Sequence, residues 1–329
     1  MLTKQYKVSV TIPVYNVEDY LEQSVNSLMS QTLKGIELIF IDDCSTDNSL
    51  EKLNGILGAI QIPDTIEVKI LQNNENKGVA YTRNVGLLAS SGKYIASIDP
   101  DDFIECDMLK IMFEKAELER AEIVWCDYVN VFKDERSIVR QDLIEKPRNC
   151  IEGLLRGELF GGMCNKLILR SLFTANNVQF PAGQNMSEDL RVCVQLFFYA
   201  KTVRYVDRAL YFYVQYRENS ISLTNTNVLK INYEWFENIK AVELFLHEKE
   251  LNELVELVMI LKLVSKKNLL VKGKSIEDFK QWRDIFPESN QYINQTDLPL
   301  HYKFIANKIN KEAWFFPKFW ILIKKILRK

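Results

Sequence analysis

The 329-residue sequence has only two histidines and no Cys-x-x-Cys pair among its six cysteines. Zinc sites draw on clustered Cys and His, so a zinc centre is not expected. The cysteines (Cys44, Cys106, Cys126, Cys150, Cys164 and Cys193) are scattered, as free thiols are in a reducing, cytosolic compartment. No apolar run approaches the roughly 20 residues of a membrane span, and Met1 to Lys7 carry no apolar leader. Positive charge is not in excess: 42 Lys and Arg face 44 Asp and Glu, for a formal net charge of -2. That argues against a general nucleic-acid binder. No Gly-x-Gly-x-x-Gly or Walker lysine loop follows the first strand, which disfavours a backbone phosphate cradle of the dinucleotide or ATP type.

What is present begins with 47% hydrophobic residues, enough for a sizeable core. The length admits one large or two modest domains. Val8–Val14 and Ile36–Ile41 read as β-branched, buried strands, followed by shorter ones at Val68–Leu71, Ile95–Ile98 and Ile123–Cys126. Helical patterns alternate with them. Leu21, Val25, Leu28 and Met29 share one helix face, with Asn16 as its expected cap. Further helices are expected from near Ser45, over about Val79–Ser90, and over about Met108–Arg120. Alternation of this kind predicts parallel strands with right-handed crossovers. Ligands bind such sheets outside the carboxyl ends of the strands. Tyr15, Asp42, Asp43, Asn73 and Asp99 all fall just past strand ends and should line one crevice.

Asp99-Pro100-Asp101-Asp102 places three carboxylates in four positions. Such groups repel one another and raise each other's pKa. A Mg²⁺-like cation removes that penalty, and it is held by one or two carboxylates plus substrate phosphates. A solvated acidic turn is the competing reading. Tyr15 offers a face on which a base or sugar can stack, or it is a half-buried core residue. Asp43 can accept an N–H such as a uracil imide, while helix capping competes for Asp42, Asp43 and Asp47. Arg83 reaches a base or phosphate, or forms a surface ion pair.

The blocks Val8–Asn16, Glu37–Asp47, Asn76–Gly86 and Asp99–Asp102, in that order and spacing, resemble the family-two inverting glycosyltransferases. Cys44 and Thr82 stand where glycine and alanine are commoner in that family. The resemblance covers most of residues 7–130. It implies the GT-A fold, an α/β architecture with a mostly parallel Rossmann-like sheet and flanking helices. It also implies a nucleoside-diphosphate sugar donor, most often UDP-linked, and a Mn or Mg ion. Pro13 and Tyr15 would flank the base, Asp43 would pair with its imide edge, and Arg83 would support that pocket. Asp99 would hold ribose or metal and Asp101 the metal. The resemblance further makes Asp189 the catalytic base, after the Phe180-Pro181 turn, with Glu188 as a supporting carboxylate. From spacing alone, Ser187-Glu188-Asp189 is helix capping. Val203–Val206 and Leu210–Val214 read as two strands joined by a short turn; Arg217, in a tyrosine–arginine–serine block that follows, would contact the diphosphate, or it lies in a polar loop after an edge strand.

The expected organisation is a GT-A catalytic domain over residues 1–226, with a nucleotide-sugar-binding half (1–130) and an acceptor-side half (131–226). A helical region follows over 227–329. Its helices are expected at Val228–His247, Leu251–Val271 and Ile276–Ile285. The tail 314–329 is amphipathic and basic. Phe319, Leu322, Ile323 and Ile326 form one stripe, opposite Lys318, Lys325 and Arg328. It suits an anionic membrane surface, or docking on the protein itself. The functional expectation is sugar transfer with inversion to a saccharide or lipid-linked acceptor in bacterial surface-polysaccharide synthesis, at the inner face of the membrane. A non-catalytic nucleotide-sugar-binding module and a sugar nucleotidyltransferase are the alternatives.

Overall fold

The β-branched runs form β1 (Val8–Val14), β2 (Ile36–Asp42) and β3 (Ile66–Gln72), with the short β4 (Tyr94–Ser97) beside them. Every residue of β1 and β2 is buried, as in a parallel sheet covered on both faces. β1 pairs in parallel with both β2 and β4, and β2 with β3. Val14 lies opposite Asp42, and Asp42 opposite Gln72, so the carboxyl ends are level. The helices between them are α1 (Leu21–Met29), α2 (Ser49–Ala59) and α3 (Val79–Ala89). Leu21, Val25 and Leu28 of α1 pack with Val10, Ile12 and Phe40 in the main core.

The chain then alternates more irregularly through β5 (Phe103–Ile104), α4 (Met108–Glu119), β6 (Ile123–Val131), β7 (Arg136–Val139) and α5 (Pro147–Arg156). It continues through β8 (Lys166–Leu169), α6 (Arg170–Ala175), α7 (Glu188–Tyr199) and β9 (Val203–Val214). The computed structural model describes residues 6–216 and 228–327. Among these, one nine-stranded sheet has the order β3-β2-β1-β4-β8-β6-β9-β5, with β7 paired to β6. β8 is wedged antiparallel between β4 and β6. The sheet is therefore parallel in its first half and mixed in its second.

Some local expectations are corrected. Asn16 does not cap α1, whose N-cap is Tyr20; Asn16 adopts φ 50° and ties its side chain to Thr46 and Asp47 instead. The second helix starts at Ser49, not near Ser45. The two strands expected over 203–214 are one, because Asp207 and Arg208 form a bulge against β6 where a turn was expected.

By its internal packing the chain divides into two compact units, Met1–Val228 and Leu229–Lys329. The second contains α8 (Val228–Glu248), α9 (Val255–Ser265), α10 (Lys267–Val271), α11 (Ile276–Asp284), α12 (Leu300–Asn310) and α13 (Phe315–Leu327). The continuous helix expected over Leu251–Val271 is interrupted at Lys266. There the buried amine turns inward to the carbonyl of Phe286, at 3.1 Å, and to the carbonyl of Ile285 and the side chain of Asn290. Leu263, Leu270, Phe279, Trp282, Ile305 and Ile309 form the core of this unit. Among the described residues no helix is long and apolar enough to cross a membrane.

Candidate functional site

The carboxyl edge of β1–β4 is built from loops that lock one another. Asp43, just past β2, is 3% exposed. Its carboxylate accepts from Asn73 Nδ2 at 2.7 Å, from the Lys77 amide at 3.0 Å and from the Gly78 amide at 2.7 Å. Asp43 and Asn73, two of the residues expected past the strand ends, are thus joined by a direct hydrogen bond. Cys44 sits at φ 58°, the left-handed region that glycine enters freely, which explains why glycine is commoner there in the resembling family. Thr82, the other departure, donates its hydroxyl to the Gly78 carbonyl and accepts from Asn73. Pro13 is buried in β1, and Tyr15 beyond it is 39% exposed, so its ring is available for stacking.

Helix α3 carries these loops to the second half of the unit. Gly78, its N-cap, has φ 83° and stands against the Asn185 side chain so closely that a Cβ would lie 2.4 Å from Asn185 Oδ1. Asn185 in turn accepts from the Ala80 amide. One turn on, Asn84 exchanges two hydrogen bonds with the Phe180 backbone, at 2.8 and 2.9 Å. This staple sets the Phe180-Pro181 turn, and with it the start of α7, beside the end of β4.

Arg83 lies between them. Its guanidinium meets Glu188 at 2.6 Å, Asp189 at 2.8 Å and Asp99 at 3.0 Å, with only 6% of the side chain exposed. Burial works against its charge, yet Asp189, Asp99 and Glu188 hold its proton above the ordinary arginine value. One cation does not balance this group. Burial, with Asp189 beside it, pushes Glu188 up to about 7 against the pull of Arg83. Desolvation, opposed by Arg83 and helped by Asp101 and Asp189, pushes Asp99 up to about 6. Arg83 Nε and Ser97 Oγ, at the end of β4, are buried without a hydrogen-bond partner among the described residues.

Asp99, Asp102 and Cys164 each offer a ligand atom within 4.8 Å of one another. Asp102, however, is 1% exposed and committed to β9. It accepts from the Val214 amide at 2.7 Å and from the Tyr211 hydroxyl. Burial and the neighbouring carboxylates Asp101 and Asp99 raise its pKa well above the usual range. The Cys164 thiol is likewise raised well above its ordinary value by burial, and a protonated thiol does not suit a hard cation. Asp99 and Asp101 are both only partly buried. Five carboxylates gathered around the Arg83 guanidinium fit a hard divalent cation bound through oxygen.

Of the two acidic residues that open α7, Asp189 is the accessible one. Its side chain is 16% exposed against 7% for Glu188. Asp189 Oδ2 accepts from the Met163 amide at 3.2 Å. The loop supplying that amide is held by Lys166, which is 1% exposed. Lys166 Nζ donates to Phe160 O at 2.6 Å, Gly162 O at 2.7 Å and Asn165 Oδ1 at 2.8 Å. Lys166 and Asn185 were not singled out as site residues from the sequence. The sequence signal for the first is a lysine four positions after the Gly161-Gly162 pair. Arg217 lies outside the described residues.

Residues 9–175 match Glycosyl transferase family 2. The chain is 32% identical over 220 residues to a putative glycosyltransferase, EpsH, of Bacillus subtilis, covering 63% of this chain and 60% of that protein. It therefore spans less than two thirds of that relative's length. It is 26% identical over 253 residues to the glycosyltransferase GlyG of Streptococcus pneumoniae, covering 71% of this chain and 77% of that protein. Its fold matches that of S. aureus TarS 1–349, solved in complex with UDP-GlcNAc, with a TM-score of 0.72 at 19% identity over 94% of this chain and 89% of that one. The fold is thus of the GT-A type, with a helical C-terminal region, and the chain belongs to glycosyl transferase family 2.

Proposed function

We propose that the chain moves a sugar from a nucleoside-diphosphate donor, UDP-linked, to a hydroxyl of a saccharide or lipid-linked acceptor, with inversion at the anomeric carbon. The observation that carries this is the Arg83 bridge. It brings the donor-side Asp99 and the Glu188–Asp189 pair onto one guanidinium at the carboxyl edge of the parallel strands. Family membership supports sugar transfer, and the TarS complex supports a UDP-sugar.

In this reading Pro13 and Tyr15 enclose the base. Asp43 has about four acceptor positions. Three donors use it, which leaves room for an imide N–H. Asp99 and Asp101 would hold Mn²⁺ or Mg²⁺, which when bound supplies positive charge to the leaving diphosphate. Asp189 takes the proton from the acceptor hydroxyl as it attacks, because it is the carboxylate of its pair that a hydroxyl can reach. Glu188 holds Arg83, and Arg83 in turn pairs with Asp189 at 2.8 Å. Arg217 contacts the diphosphate. Base and leaving group act on opposite faces of the sugar, so the product is inverted. The catalytic domain is residues 1–226 and the helical region 227–329. The protein works in surface-polysaccharide synthesis at the cytoplasmic face of the membrane, with residues 314–329 toward it.

A thermal-shift screen of UDP-sugars, with and without Mn²⁺, tests the donor and the ion together. One UDP-sugar should raise Tm only when the ion is present. Asp189→Asn should keep that shift and lose transfer. A variant that still transfers sugar removes Asp189 as the base; a parent protein that binds donor and never turns it over leaves a binding module.

A further inference from the structure

The last 30 residues differ in charge from everything before them. Residues 300–329 hold eight Lys or Arg and one acid, Glu312, whereas residues 1–299 hold 34 Lys or Arg against 43 Asp or Glu. Within the second unit, α12 and α13 each have an inner and an outer stripe. On α12, Ile305, Ala306 and Ile309 are buried, while Leu300 is 83% and Phe304 47% exposed. On α13, Pro317 is buried and Trp320 and Ile321 pack against the unit's own core. Its other side leaves Phe315 74%, Phe319 54% and Leu322 53% exposed.

The two outer stripes are continuous. The Phe304 and Phe316 rings meet edge-on at 5.5 Å, and Lys308 Nζ lies 5.0 and 4.7 Å from their centroids. Lys311 and Lys318 are exposed beside them. The helix is therefore docked on its own core by one side and still apolar on the other. The alternatives open at the sequence level, self-docking or membrane docking, use different sides of the same helix.

We infer that the outer face of α12 and α13, formed by Leu300, Phe304, Phe315, Phe316, Phe319 and Leu322, seats on an anionic lipid bilayer. Aromatic rings rimmed by lysines match the boundary between acyl chains and acidic headgroups. A second copy is the poorer occupant, because it would bring two lysine-rich faces together. The inference rests on the membrane part of the proposed function and on none of its sugar chemistry.

Flotation of the purified chain with vesicles tests it, without donor or turnover. Phosphatidylcholine vesicles are compared with vesicles that also contain phosphatidylglycerol. Binding should appear with the anionic vesicles and weaken in high salt. The triple variant Phe315→Ser, Phe319→Ser, Leu322→Ser should lower it at least about tenfold. The variant Lys308→Gln, Lys311→Gln, Lys318→Gln, confined to side chains at the rim, should do the same if the first loses helical signal by circular dichroism. Equal binding to both vesicles, no binding to either, or unchanged binding by a folded variant overturns the inference. Concentration-dependent dimers abolished by the serine variant, with no vesicle binding, would assign the face to a second copy.

Discussion

Replacing Arg83 by methionine isolates the bridge. Methionine keeps an unbranched, buried side chain but removes the charge. Loss of one partner from a buried ion pair costs about 3–5 kcal/mol, because the other charge is left unpaired. Asp99, with 27% of its side chain exposed, is discounted, since water takes over much of its pairing. Glu188 and Asp189, at 7% and 16%, carry most of the loss, and about 3–4 kcal/mol is expected near pH 8. The loss should depend on pH. Glu188 in the folded parent holds its proton up to about 7, above its ordinary 4.5. A carboxyl raised in this way binds protons more tightly folded than unfolded, so its contribution to stability falls as pH rises from 4.5 to 7. Without Arg83 the folded value climbs further, and the falling window extends past 7 at about 1.4 kcal/mol per pH unit. Near pH 5 both proteins carry a protonated Glu188, and the deficit should shrink to about 1–2 kcal/mol. Urea unfolding in EDTA across this pH range measures it, with hydrogen exchange in α3 and α7 peptides to localise it to the first unit. A deficit below about 1 kcal/mol at pH 8, or one that is flat with pH, refutes the bridge as an energetic element.

Two further outcomes follow from the loops around it. Gly78→Ala forces a side chain onto φ 83° and into Asn185, so a loss of about 1–3 kcal/mol is expected, with weaker donor binding because the Gly78 amide serves Asp43. Calorimetry and a donor titration would read both effects. Lys166→Met leaves one buried and two part-buried acceptors without their donor, for about 2–4 kcal/mol. Because the same loop supplies the Met163 amide to Asp189, its kcat should fall by more than its donor KM rises; equal changes in both would limit Lys166 to a structural role.

The parallel half of the sheet is readable because β1, β2 and β3 are runs rich in β-branched residues, and successive strands β1–β2 and β2–β3 pair directly. β8 is not, since its four residues gain their meaning only when wedged between β4 and β6, and a short apolar run has no period of its own. The same limit explains the Asn16 error. A polar residue before an apolar helix pattern is a good capping signal, but here the side chain is taken by Thr46 and Asp47, some 30 residues away. The carboxylate positions 99–102 and 188–189 could be picked out because acids cluster within each. Their distance from one another could not, and that distance is what the chemistry needs.

Arg83 shows why. In sequence it is one arginine in a helix, and a surface ion pair is as natural a fate as a ligand contact. Its partners Glu188 and Asp189 are more than 100 positions away. What brings them together is a set of bonds from α3 itself, Asn84 to Phe180 and Ala80 to Asn185, with Gly78 leaving room for the Asn185 side chain. These fix the start of α7 before any charge is considered. Among the described residues, the counter-charge that Glu188 and Asp189 meet is the arginine already facing them. A carboxylate pair at a helix start reads locally as capping, but Glu188 is buried at 7% exposure and its side chain is turned to Arg83 at 2.6 Å. A fold retains such a group when its work lies elsewhere. Here that work is to hold Arg83, and through it Asp189, at the edge where the donor-side aspartates end.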